Sequence, residues 1–143
     1  MNHPKTSGRE IALQYLYMHD VLTGKDVQSF DSYVSAQQPP LEDKESVAFA
    51  RSLIDNVLRH QGELDAEIAE VATNWNISRM AAVDRNILRL GLAELTAQPE
   101  TSHKIILNEA VELAKRFSSE DAGAFVNGLL DRLRIKRRPE TVA

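Results

Sequence analysis

Residues 105–133 read IILNEAVELAKRF, then Ser118-Ser119, then EDAGAFVNGLLDRL. In the first stretch Leu107, Ala110, Val111, Ala114 and Phe117 recur at intervals of three and four residues. In the second, Phe125, Val126, Leu129, Leu130 and Leu133 do the same. That period predicts amphipathic helices over about Ile105–Phe117 and Glu120–Leu133. A connection this short makes the two helices antiparallel neighbours with their apolar stripes turned toward each other. No run in the chain alternates convincingly with period two, so nothing signals a strand. The stretch is a helical hairpin, and the expected fold class is all-α.

Working outward, Ser78 to Thr96 predicts the preceding helix, with Val83, Ile87, Leu90 and Gly91 inward, Arg79, Arg85 and Arg89 on the surface, and Pro99 as its stop. Leu64, Ile68, Val71, Ala72 and Trp75 mark another helix. Val47, Ala50, Ile54, Val57 and Leu58 mark a longer one over about Asp43–Gln61, which Gly62 would terminate as a C-cap. A short helix is expected over Val27–Ala36, before Pro39-Pro40, and that loop is the expected boundary between sub-bundles. The first helix is announced by Ser7-Gly8-Arg9-Glu10, a capping-box spacing, and should run to Asp20 or Val21. The total is about seven helices. Gly91 and Gly128, inside helices, each cost roughly 0.8 to 1 kcal/mol relative to alanine, and close helix packing is the expected compensation. Gly123 is either tolerated near its helix start or keeps that surface open.

A chain of 143 residues, 43% hydrophobic and 27% charged, is sized for one globular domain spanning 1–143. It has no cysteine, which excludes disulfides and thiolate sites. Met1 to Glu10 lacks the apolar segment of a secretory signal, and no apolar run approaches the roughly 18 residues of a membrane span. The expected location is the cytoplasm, with no membrane association. His3, His19, His60 and His103 form no metal-ligand spacing, and no nucleophile elbow, phosphate loop or dinucleotide fingerprint occurs. Glu67 with Glu70 and Glu109 with Glu112 read as solvated helix faces rather than paired catalytic carboxylates. No enzymatic activity, metal or cofactor is expected.

The formal net charge of −4 argues against a strongly basic nucleic-acid-binding domain. It hides an asymmetry: residues 1–75 carry six basic and twelve acidic side chains (−6), and residues 76–143 carry eleven and nine (+2). Arg132, Arg134, Lys136, Arg137 and Arg138 crowd the C-terminal end.

Four strings carry a resemblance. They are Arg9-Glu10-x-Ala12-x-Gln14-x-Leu16-Tyr17, the run Val83-Asp84-Arg85-Asn86-Ile87-Leu88-Arg89-Leu90 with Glu94-Leu95, Ile106-Leu107-Asn108-Glu109-Ala110-Val111-Glu112-Leu113-Ala114-Lys115, and Phe125-Val126-Asn127-Gly128-Leu129-Leu130-Asp131. Collinear from Arg9 to Asp131, they resemble the NusB family of bacterial transcription antitermination factors. The resemblance implies two packed three-helix sub-bundles with additional helical elements, a flexible N-terminal arm (1–6) and a basic C-terminal tail (135–143). It implies no catalysis. It further implies binding of the boxA element of nascent RNA as a single strand, jointly with the ribosomal protein NusE. The complex would join RNA polymerase and other Nus factors and support transcription of ribosomal RNA operons.

Carried over by position, the resemblance assigns RNA contacts to Lys5, Arg9, Tyr17, Asp121 and Phe125. It assigns the protein-partner face to Tyr17, Asp84, Arg85 and Arg89. Phe125 also continues a core stripe, so both readings stay open for it. The family's N-terminus is commonly arginine-rich, whereas Lys5-Thr6-Ser7-Gly8-Arg9 has two cations, which lowers the expected autonomous RNA affinity. An alternative is a protein-interaction adaptor of the same fold with weak RNA affinity, a homodimer when free.

Overall fold

The computed structural model describes residues 3–22 and 27–139. Among these residues there are six α-helices and no strand: α1 (Pro4–Leu22), α2 (Phe30–Ala36), α3 (Lys44–Val71), α4 (Ala82–Ala97), α5 (His103–Phe117) and α6 (Glu120–Arg137), with a 3-10 turn at Ile77–Arg79. The helices expected on either side of Gly62 are one element, α3. It is kinked at His60, whose φ of −117° and ψ of 17° leave the helical region. Gly62 is therefore not a stop but lies inside α3, just beyond the kink.

The chain divides into two compact units, residues 1–55 and 56–143. The division falls within α3 and not at Pro39-Pro40. The prolines do end α2, but the chain stays in the same unit until α3 is under way.

In the first unit, α1 begins three residues before the expected capping box. Pro4 is a natural first helical residue, since its fixed φ suits the helix and its missing N–H would have no intrahelical acceptor there. The His3 side chain accepts from the Lys5 N–H (3.1 Å), and the Ser7 N–H donates to the His3 carbonyl (3.0 Å), so Ser7 lies inside the helix. Residues 4–6, expected as arm, are helical. α1 and α3 approach closely at Gly8: a Cβ there would sit 2.9 Å from the Ser46 carbonyl oxygen and 2.9 Å from the Phe49 ring. Asp43 caps α3, accepting from the Glu45 N–H (3.0 Å) and the Ser46 hydroxyl (2.9 Å). The Ser46 hydrogen bonds hold the Asp43 carboxyl below its ordinary pKa. Tyr15, Phe30 and Tyr33 form an aromatic cluster with ring centroids 5.3 to 6.3 Å apart, and the Tyr15 hydroxyl donates to the Gln28 carbonyl (2.6 Å).

In the second unit α4 is the central helix, with every residue from Asn86 to Leu95 buried. Gly91 lets α6 approach, since a Cβ would fall 2.8 and 2.9 Å from the two methyls of the fully buried Leu130. The packing expected of Gly91 is present. It is absent at Gly128, where an added Cβ meets nothing within 4 Å. At Gly123 the space is taken by the Lys115 stem, 3.2 Å away.

The basic C-terminal end is bound within this unit. α6 continues helical to Arg137, and residues 140–143 of the expected tail lie outside the described residues. Arg132 donates to the Val71 carbonyl (3.0 Å), Arg134 to Asp131 (2.8 Å), Lys136 pairs with Glu70, and Arg137 chelates Glu67. Lys136 lowers the pKa of the Glu70 carboxyl, and Glu67 raises that of Arg137. Arg138 covers the exit of α4, donating to the carbonyls of Leu95 (3.0 Å), Gln98 (2.7 Å), Thr101 (2.5 Å) and Glu94 (3.4 Å). Helix ends leave such carbonyls without intrahelical partners, and a cation suits the negative end of the helix dipole.

Candidate functional site

After α3 ends at Val71, the chain turns through residues 72–76, with the Trp75 N–H bonded to the Ala72 carbonyl (3.0 Å). Asn76 then caps the 3-10 turn, accepting from the Ser78 N–H (3.0 Å) and hydroxyl (2.7 Å). Arg85 reaches back from α4 to the Met80 carbonyl (3.2 Å), which ties the turn to the helix. These local bonds hold Trp75 outward, 59% exposed, with its ring edge-on to Phe125 of α6 at 5.2 Å and 71°.

The two rings border a cavity of about 340 Å³ lined also by Arg79, Met80, Ala81, Asp84, Ser119, Asp121 and Ala122. Three residues named from the sequence, Asp84, Asp121 and Phe125, meet here. Asp84 Oδ1 is buried and has no hydrogen-bond donor among the described residues. A buried carboxylate oxygen without a donor is costly, so a donor arriving from outside would be strongly held. Phe125 is half-buried: it belongs to the α6 stripe and also walls the cavity.

The remaining named residues stand differently. In the first unit the Lys5 ammonium and the Arg9 guanidinium lie over the Phe49 ring, at 5.5 and 5.4 Å from its centroid. Arg9 is only 3% exposed, so its charge is not presented at the surface as expected of a phosphate contact. Tyr17 is 43% exposed. Arg89, expected on the surface and at the partner face, is 5% exposed: its guanidinium makes two bonds to Asp65 (2.7 and 2.8 Å) and a third to Asn86 (3.1 Å). Arg85 is half-buried, its head engaged by the turn carbonyls.

Trp75 was expected within a helix because it continues the spacing of Ile68, Val71 and Ala72, but it lies beyond the end of α3. Its flanking Asn74 and Asn76 were the available signal for a turn, since amides beside an aromatic favour turn and cap positions. Among the described residues no group of three or more His, Asp or Glu side chains could hold a metal ion. No described helix is long and apolar enough to cross a membrane.

The sequence model of the NusB family matches residues 6–134. The transcription antitermination protein NusB of Myxococcus xanthus is 42% identical over 132 residues, covering 92% of this chain and 94% of that protein. Two solved structures share the fold. One is from a crystal structure of a plectonemic RNA supercoil, with a TM-score of 0.87, 28% identity, and coverage of 98% of this chain and 100% of that one. The other is from a crystal structure of the antitermination factors NusB and NusE in complex with double-stranded RNA, with a TM-score of 0.81, 30% identity, and coverage of 93% and 97%.

Proposed function

The chain belongs to the NusB family, and we infer that it is a transcription antitermination factor that binds RNA together with NusE. Its RNA target is a boxA-type single strand in nascent transcripts of ribosomal RNA operons. The complex acts with RNA polymerase and other Nus factors, which places its work in the cytoplasm. Its role is regulatory and not catalytic.

The observation that carries this reading is the meeting of Asp84, Asp121 and Phe125 around one cavity, with Asp84 Oδ1 lacking a donor. Asp84 receives an N–H or ammonium donor from NusE, assisted by Arg85 at the turn. Phe125 and Asp121 face the RNA. In the first unit, Lys5 and the exposed Tyr17 supply a cation and a ring. Arg9 and Arg89 act indirectly, by anchoring α1 and α4. The charge arithmetic requires the partner: the chain is −4 overall, and its C-terminal cations already bind carboxylates and carbonyls. Few are left for counterion release from RNA.

The test is a titration of labelled boxA-like RNA with this protein, alone and with NusE, at two salt concentrations. Binding should be weak alone, rise with NusE, and fall steeply with salt. RNA affinity that never exceeds that for a scrambled sequence, even with NusE bound, would overturn the assignment.

A further inference from the structure

Sharing the Trp75 and Phe125 rings with the Asp84 cavity is a second groove of about 220 Å³. Its walls include Thr73, Asn74, Trp75, Phe125, Gly128 and Arg132. Gly128 is the unexplained member. A glycine well inside an eighteen-residue helix weakens it by about 1 kcal/mol, yet no neighbour occupies the position of its missing Cβ. Gly91, in contrast, is accounted for by Leu130. What Gly128 does is leave the groove floor open beneath an indole that is mostly in water.

We propose that this groove seats one base of the single-stranded RNA, stacked on Trp75 above Gly128, with Arg132 at its phosphate. The inference rests on the RNA-binding reading and adds to it a subsite and three residues. The chemistry is that of single-strand recognition: an aromatic face available to any base, a cation for the backbone, and amide and hydroxyl groups for base edges. Arg132 is held in place for this, its Nη1 donating to the Val71 carbonyl at 3.0 Å. The charge pattern separates this groove from its neighbour. The cavity holding Asp84 and Asp121 has two carboxylates against one cation, Arg79, and suits a cationic donor of the protein partner and the N–H edges of bases rather than phosphate, whereas the Gly128 groove has Arg132 and no carboxylate in its lining.

Trp75 is the single tryptophan, and its ring borders both the Asp84 cavity and the Gly128 groove. On the preformed complex with NusE, added boxA-like RNA should quench Trp75 emission beyond any change that NusE itself makes. Trp75→Ala should weaken RNA binding about 5- to 150-fold, the range expected for loss of one base stack. Trp75→Phe should recover most of it. Gly128→Leu, which fills the groove with a good helix former, should weaken RNA binding to a similar degree, with affinity for NusE unchanged and helical circular dichroism intact. If the complex binds RNA but emission is unmoved and all three variants bind like the parent, the subsite is wrong while the antitermination reading stands. If Trp75→Ala and Gly128→Leu lose NusE but keep their RNA affinity, the groove is a protein interface and the proposal fails. If the parent complex shows no preference for boxA-like RNA, both readings fail together.

Discussion

One substitution made at two positions should stabilise at one and not at the other. Gly91 and Gly128 both lie inside helices of the second unit, and replacing either with alanine removes about 1 kcal/mol of helix-propensity cost. At Gly128 the new methyl meets nothing within 4 Å, so the full gain should appear. For a domain of this size 1 kcal/mol corresponds to a rise of roughly 3 °C in melting temperature. At Gly91 the methyl would lie 2.8 and 2.9 Å from the methyls of Leu130, well inside van der Waals contact. Leu130 is fully buried and has no vacant space to turn into, so the overpacking cost of about 1 to 3 kcal/mol cancels or exceeds the gain. Gly91→Ala should therefore be neutral to about 2 kcal/mol destabilising. Both variants probe the same unit, so urea unfolding followed by circular dichroism compares them directly, with the m-value checking that neither alters the unfolded state. A destabilised Gly128→Ala, or a Gly91→Ala as stabilised as Gly128→Ala, would refute the packing argument.

Further outcomes follow from the charged contacts. Arg138→Ala should cost about 2 kcal/mol, because the carbonyls at the end of α4 lose their cationic donor; an unchanged melting temperature would show that water replaces it without loss. Arg89→Met should cost about 3 kcal/mol by stranding Asp65, and adding Asp65→Leu should recover most of that; a double variant no better than the single one would refute pairing as the cause. Asp43 and Glu70 titrate lower in the folded chain than unfolded, so the unfolded state binds more protons in acid. Their contribution is complete above about pH 4.5 and lost as the pH falls through the folded pKa values. Asp43→Asn with Glu70→Gln should flatten the decline of melting temperature below that pH, and an unaltered decline would count against both contacts.

The α5–α6 hairpin was legible because its apolar positions keep helical spacing and only two serines separate the helices. Features that depend on distant partners were not. Arg89 reads as a surface cation, since the sequence does not reveal that Asp65, 24 positions earlier, meets it in the interior. The spacing of Ile68, Val71, Ala72 and Trp75 continues unbroken past the point where the helix ends, so periodicity alone put Trp75 inside that helix. Ser7 and Glu10 satisfy a capping box, but Pro4 and His3 start the helix sooner. Asp84 was named from the family resemblance for the protein partner, and Asp121 and Phe125 for RNA; their convergence on one cavity became visible only in three dimensions. Gly128 stands in one of the quoted strings and Trp75 in none, and their relation is purely spatial.

The ties from the end of α6 to the second half of α3 also set an order of events during synthesis. Lys136 and Arg137 meet Glu70 and Glu67, 66 and 70 positions earlier, and Arg138 finishes α4 from 37 to 44 positions away. Residues 1–55 have their internal contacts available as soon as they leave the ribosome, whereas the second unit lacks its last braces until residues 136–138 have emerged. A nascent chain stalled around residue 130 should therefore carry a protease-resistant N-terminal part joined to a second part that is still readily cut. The newly made protein gains its complete second unit, and with it both grooves beside Trp75, only once Arg138 has emerged.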